Sequence, residues 1–335
     1  MRILFAPAAG AEIGGGHVMR CLSLAAALAE RGADCRFAGP EAARAIVGRF
    51  GARRFPFTVV SGWDELNAAA AGARLDALVL DNYGAGACAE NELRASARVL
   101  MAIDDLADRE HVADILLDPS HGRIPEDYAG LAPVEADLLL GPAYALVRPG
   151  FAGRRAKAAE AVGRVFVSFG LSDVGGIAGR AVSLLAPLAP EARFDVALSS
   201  SAESLEFLRS MSATDPRISL HVDAADVAAL MAEADLAVGA GGGGTWERAC
   251  LGLPAIAVIV ADNQRGLIER LGDEGALLAV DGMAAGWEAQ LAAAFRRLQA
   301  DTALKRALAE TALSLCDGRG ANRAAEALLD RLSRP

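Results

Sequence analysis

Short apolar runs of strand length recur along this chain, and helical stretches separate many of them. In the first half they lie at 3–6, 35–38, 57–60, 77–80, 99–103, 115–118 and 138–140. In the second half they lie at 164–168, 194–197, 218–221, 236–238 and 255–258. Runs such as ALVL at 77–80 are apolar throughout rather than alternating. A strand of that kind is buried on both faces, which belongs to a parallel sheet covered by helices. The pattern therefore predicts βαβ units and an α/β fold. The clearest helix spans 18–31, where Val18, Leu22, Ala25 and Ala29 share a face and Gly32 supplies the stop.

A length of 335 residues suits two domains. The break falls at 148–163, RPGFAGRRAKAAEAVG, where Pro, Gly and basic residues read as a linker. This predicts Rossmann-like domains at 1–147 and 160–315, with a ligand cleft between them. Beyond a Gly-rich break at 317–320 the chain is helical. Aromatics are only 5% of the residues, so Ala, Val and Leu must build the cores. The net charge is −10, and Lys157 and Lys305 are the only lysines. An acidic chain without a basic run is a poor binder of nucleic acid or anionic membrane. Cys21, Cys35, Cys88, Cys250 and Cys316 are scattered and form no C-x-x-C pair. That argues against a disulfide framework or a zinc knuckle, and for a reducing, cytoplasmic setting. No apolar run approaches the roughly 18 residues of a membrane span, and the start of the chain reads as a strand rather than a signal peptide.

Glycines cluster where strands end. Gly14, Gly15 and Gly16 follow the first strand, and His17 and Arg20 then open a helix. Free N–H groups at such a helix start favour an anion and disfavour imidazolium, so His17 can stay neutral and accept a proton. The spacing is neither G-x-G-x-x-G nor a P-loop, which argues against a nicotinamide or P-loop site. A plain glycine turn with a capping histidine is the competing reading. Gly241, Gly242, Gly243 and Gly244 precede Thr245, Trp246 and Glu247 after another strand. A helix starting there would aim N–H groups at a phosphate, with Glu247 placed for ribose hydroxyls; close helix packing and an ordinary N3 carboxylate are the alternatives. A third cluster, Ser168, Phe169 and Gly170 leading to Asp173, ends the first strand of the second half. Asp81, Asn82, Tyr83, Asp104, Asp105, Asp262, Asn263 and Gln264 also stand at strand ends. Sites collect at such ends, but turns do too. His111, His121 and His221 have no metal-ligand spacing and read as surface or core histidines. With no D-x-D triplet and no G-x-S-x-G elbow, neither metal nor cofactor is expected.

Taken together, IGGGHVMRCLSLA (13–25), DNYG (81–84), IDDLADREHVADILLD (103–118), GPAYALVR (141–148), VSFGLSD (167–173), GGGGTWERACLGLP (241–254), ADNQ (261–264) and DGRGANR (317–323) resemble the UDP-sugar hydrolases of pseudaminic acid biosynthesis over the whole chain. The resemblance implies the GT-B fold, with a C-terminal helix at about 320–333 crossing back to the first domain. It implies release of UDP from UDP-2,4-diacetamido-2,4,6-trideoxy-β-L-altrose by water attacking the anomeric carbon, in a route to flagellin modification. By the same resemblance His17 is the base, Tyr83 and Asn263 line the sugar pocket, and residues 242–247 hold UDP with Glu247 on ribose. Relatives usually carry R-x-D-x-S before the I-G-x-G-H run and D-H-Y-G at the next strand end. Here those positions read Ala6, Pro7, Ala8, Ala9, Gly10 and Asn82, which bears on the sugar recognised.

Two rivals follow from the same residues. A transferase of the same fold would need an acceptor surface, for which the first domain offers Arg53 and Arg54 and little more. A nucleotide-sugar binding protein without catalysis would fit the substituted positions before the glycines.

Overall fold

A computed structural model describes residues 1–10, 13–51, 55–71, 75–156 and 160–334. Arg53, Arg54, Lys157 and the middle of the expected linker lie outside the described residues. The chain divides into two compact units, Met1–Pro149 with Gly318–Pro335 (unit 1) and Gly150–Asp317 (unit 2).

Unit 1 runs β1 (Arg2–Pro7), α1 (Gly16–Glu30), β2 (Asp34–Gly39), α2 (Glu41–Phe50), β3 (Phe57–Val59), α3 (Trp63–Ala71), β4 (Leu75–Asp81), α4 (Ala87–Leu93), β5 (Ala97–Ile103), β6 (Ile115–Asp118) and β7 (Asp137–Leu140). Its parallel sheet has the order β3-β2-β1-β4-β5-β6-β7. The central strands are apolar and buried on both faces, as continuous apolar runs require.

Unit 2 runs β8 (Arg164–Ser168), α5 (Ile177–Leu185), β9 (Arg193–Leu198), α6 (Leu205–Thr214), β10 (Ile218–Val222), α7 (Val227–Ala232), β11 (Leu236–Ala240), α8 (Gly244–Leu251), β12 (Ala255–Ile259), α9 (Asp262–Asp273), β13 (Leu278–Asp281), α10 (Trp287–Ala300) and α11 (Thr302–Leu315). Its parallel sheet is ordered β10-β9-β8-β11-β12-β13. The sequence pattern misses β13, a four-residue edge strand that is only partly buried and so lacks a continuous apolar signal.

The last helix, α12 (Gly320–Ser333), belongs to unit 1. Ala321, Ala324, Ala325, Leu328 and Leu332 join the core that α1 builds with the sheet. This changes the reading of α1. One apolar face was expected, yet Val18, Cys21, Leu22, Leu24, Ala25 and Leu28 are all buried while Ala29 is only partly so. A helix held between a sheet and a second helix is apolar over more than one face. Arg31 closes the pairing at the rim through Glu326 at 2.8 Å and Asn322 at 3.1 Å.

Candidate active site

Strand order reverses between β1 and β4 in unit 1 and between β8 and β11 in unit 2. In an open parallel sheet the loops leaving two such strands diverge and open a crevice at their carboxyl ends, where ligands bind.

In unit 1 the loop after β1 turns back on itself. The Gly14 N–H donates to the Gly10 carbonyl at 2.8 Å, with Gly14 at φ +72°, a conformation that costs glycine little. Gly15 is the N-cap of α1 and Gly16 its first residue, so no side chain occupies the first N–H groups. His17 does not cap the helix. Its Nδ1 lies 2.5 Å from Oδ1 of Asp81, the residue that closes β4 across the reversal. Arg20, one turn further along α1, grips the same carboxylate from Nε and Nη2, each at 2.6 Å. Its Nη1 reaches Asp105, beyond β5, at 2.7 Å. The Cys21 thiol donates to Asp81 Oδ2 at 3.6 Å.

Asp81 is fully buried. Burial pushes its carboxyl up, but Arg20 and His17 outweigh this and hold it down to about 2. An ionised carboxylate accepts hydrogen bonds only, so the proton of this contact sits on Nδ1, and Nε2 is the ring nitrogen left off the carboxylate. The 3.1 Å approach of Arg20 Nη2 to Nδ1 joins two donors that share Asp81 Oδ1 as acceptor. The result is a histidine whose tautomer and orientation are set by a buried aspartate, the arrangement that makes an imidazole a directed proton acceptor. The Tyr83 ring meets His17 edge-on, with centroids 4.7 Å apart and planes at 84°. Asn82 Oδ1 accepts from the Gly84 N–H at 2.8 Å and so holds the turn that carries Tyr83. An open cavity of about 540 Å³ adjoins it, lined by Tyr83, Trp63, Gly84, Cys88 and Arg109 among others.

Asp104 does not join this group. Its carboxylate accepts from Tyr128 at 2.8 Å and from the Ala107 N–H at 2.9 Å, and pairs with Arg109. His111, read as a surface or core histidine, is buried with Nδ1 2.6 Å from Glu90 Oε1. Burial lowers its pKa, yet Asp104 and Glu90 raise it to about 9, so it is a cation in a structural network. His221 is half-buried, 2.7 Å from Asp195 Oδ1. His121 is half-buried as well.

In unit 2, β8 and β11 are paired with Ser168 opposite Gly239, and β12 lies beside β11. The three segments expected at the site, Ser168 to Gly170, Gly241 to Glu247, and Asn263 with Gln264, therefore leave neighbouring strands of one edge. The glycines of the loop do different work. A Cβ on Gly241 would strike Ile268, and one on Gly239 would strike the Ser168 carbonyl, so these two permit close packing. Gly242 and Gly243 are exposed and face open space, and Gly243 caps α8 without a side-chain bond. Gln264 holds the loop from behind, its Oε1 accepting from Gly241 and Val260 N–H groups at 3.2 Å each. Asn263 is exposed and Phe169 buried, while Gly170 takes φ +86°. Thr245 and Glu247 are buried, and Glu247 is the fourth residue of α8. Asp173 is spent on the backbone, accepting from Ala178 at 2.8 Å and Ser204 at 3.2 Å.

Sequence reasoning named Asp81 only as a strand-end residue and passed over Arg248 and Gly239. Asp81 had a usable signal: it is the first polar residue after a continuous apolar strand that flanks the first one. Among the described residues no group of three or more His, Cys, Asp or Glu is arranged to hold a metal, and no helix is long and apolar enough to cross a membrane.

No family model matches the chain. It is 25% identical over 238 residues to the UDP-2,4-diacetamido-2,4,6-trideoxy-β-L-altropyranose hydrolase of Campylobacter jejuni, which covers 70% of this chain and 83% of that protein. The resemblance read from the motifs is thus found again in a curated relative. Among solved structures, the MurG protein of Acinetobacter baumannii matches with a TM-score of 0.65 at 15% identity, covering 98% of this chain and 99% of that one. The glycosyltransferase of kitacinnamycin matches at 0.67 and 16%, covering 98% of each chain. The spinosyn rhamnosyltransferase SpnG, complexed with thymidine diphosphate, matches at 0.64 and 16% over the full length of both. At these identities the likeness shows the fold, which is GT-B. The named relative and the fold together support an enzyme.

Proposed function

We propose that this chain releases UDP from UDP-2,4-diacetamido-2,4,6-trideoxy-β-L-altrose or a close stereoisomer. The observation that carries the reading is the His17–Asp81 pair at the strand reversal of unit 1, beside Tyr83 and an open cavity. His17 Nε2 takes a proton from water as the water oxygen bonds to the anomeric carbon. The bond from that carbon to the diphosphate oxygen breaks, and the electron pair leaves with UDP. Asp81 keeps Nδ1 protonated throughout and faces the ring where positive charge develops. Unit 2 holds the nucleotide: N–H groups of residues 242–244 meet the diphosphate, that of Thr245 being donated to the Gly242 carbonyl, and Glu247 meets the ribose, so the departing charge falls on fixed dipoles. The cavity beside Tyr83 gives an amide-bearing sugar room, with Trp63 and Tyr83 as apolar walls.

A transferase reading draws on the glycosyltransferases of the same fold. One assay separates the two. The purified protein is incubated with the candidate UDP-sugar without any acceptor, and UDP is measured. A hydrolase releases it stoichiometrically, a transferase releases little, and a binding protein none. Absence of release with every stereoisomer offered would overturn the hydrolase reading.

A further inference from the structure

Arg248 lies on α8, one turn beyond Thr245, and its side chain runs back beneath the glycine loop. The residue is only 3% exposed. Its Nη2 donates to the Ala240 carbonyl at 2.9 Å and to Thr245 Oγ1 at 3.0 Å, while the buried Nε has no acceptor. Among the described residues no carboxylate stands within ion-pairing distance of it. Its Nη1 lies close to the loop, where Cβ atoms on Gly239 and Gly244 would come within 3.0 and 3.4 Å of it.

A buried guanidinium with a spare donor and no counter-ion is costly, and proteins keep such a group where an anion is to arrive. Burial lowers the pKa of Arg248 to about 10, with the charge of Glu247 working against this, so the cation is held at an energetic disadvantage that a further negative charge would relieve. Gly242 and Gly243 are exposed with open space where a Cβ would stand, and while the Thr245 and Trp246 N–H groups donate to the Gly242 and Gly243 carbonyls, those of residues 242–244 carry no side-chain cap. A cation beneath the loop and uncapped N–H groups on it converge on one anion.

We propose that Arg248 is the fixed counter-charge of a diphosphate seated on residues 242–244, acting through the loop as a positioning residue that also aims the Thr245 hydroxyl. The proposal rests on the reading of unit 2 as the nucleotide site and goes beyond it by naming what makes the site select a diphosphate. Neutralising the cation should cost the diphosphate and spare the nucleoside.

The test is calorimetric titration of the full-length protein with uridine, UDP, dTDP and inorganic pyrophosphate, for wild type, Arg248→Lys and Arg248→Gln. Arg248→Gln should weaken UDP about ten- to hundredfold, the loss of a charge-assisted contact, and uridine by less than about threefold, since a remote group adds independently. Arg248→Lys, which keeps the charge, should recover part of the preference for UDP over uridine. If Arg248→Gln fails to fold, the Lys variant decides: a UDP-to-uridine preference reduced to that of a neutral site overturns the proposal. Equal weakening of UDP and uridine with a lowered melting temperature, or no change in either, also overturns it. Wild type binding dTDP or pyrophosphate but not UDP would sink the UDP reading and leave Arg248 standing. Wild type binding none of the four removes both.

Discussion

His17 and Asp81 act as one group, and their variants should show it. His17→Asn should lower turnover about 10²–10⁴-fold, the usual contribution of a general base. Asp81→Asn should fall in the same range, because an amide donating to Nδ1 moves the imidazole proton to Nε2 and abolishes the acceptor. The double variant should be little worse than either single one, as expected for residues that work together. UDP affinity should stay within about threefold in all three, since in the proposed reading the nucleotide sits on unit 2. These are measured by steady-state turnover beside UDP titration. Near-normal turnover of His17→Asn would remove His17 as base and turn attention to Tyr83 and Asp105. In unit 2, Glu247→Ala should weaken UDP by about 1–3 kcal/mol if the carboxylate holds ribose hydroxyls; unchanged affinity in a folded variant takes Glu247 out of the site. The strand-end location of His17 could be read from the order of residues because a glycine turn followed by a helix is local information. Its pairing with Asp81 could not, because Asp81, itself legible as a strand-end residue, stands 64 residues away and meets it only through the parallel pairing of β1 with β4.

At the scale of elements, α12 is the piece on which unit 1 most depends. Gly320 begins it where any Cβ would strike the backbone of Tyr144 and Ala145, and Leu328 is fully buried at its centre. Leu328→Ala should destabilise by about 2–5 kcal/mol through the cavity it leaves. Gly320→Ala should cost about 1–3 kcal/mol by overpacking. Denaturant melts followed by tryptophan fluorescence and circular dichroism check both, and an unshifted midpoint for Leu328→Ala would mean that the helix carries no stability. Most strands of both sheets were legible because parallel strands are continuous apolar runs bounded by turns. β13 was not, since an edge strand of four residues carries too few apolar positions to stand out. The second buried face of α1 was hidden for a related reason: its cause, α12, lies some 290 residues away at Asn322 and Glu326.

At the scale of the molecule, the buried ion network around His111 sets how unit 1 responds to pH. Its folded pKa of about 9 stands above the ordinary imidazole value of 6.5, so its contribution is complete below about 6.5 and is lost as pH rises through 9. Asp81 runs the other way: its folded pKa of about 2 lies below 3.8, so its contribution is present above 3.8 and is lost as pH falls through 2. Asp104 is depressed in the same direction. Stability should therefore be greatest between these windows and decline between pH 6.5 and 9 with a slope of up to about 1.4 kcal/mol per pH unit for one proton. His111→Gln should flatten that alkaline decline in melts taken across the range; an unchanged slope would place the titrating group elsewhere. The assignment of the leaving charge to residues 242–244 and Arg248 also expects turnover to be unaffected by EDTA, and a requirement for Mg²⁺ would reassign it. The split of unit 1 across the chain has a further consequence, for biosynthesis. The ribosome delivers residues 1–149 first, then the whole of unit 2, and only afterwards 318–335. A nascent chain can thus hold the whole of unit 2 while α1 still lacks its cover, and a message cut short before Gly318 yields a protein with an apolar flank of α1 open to proteases and chaperones. Translation itself keeps unit 1 unfinished until the chain has been read past its second unit.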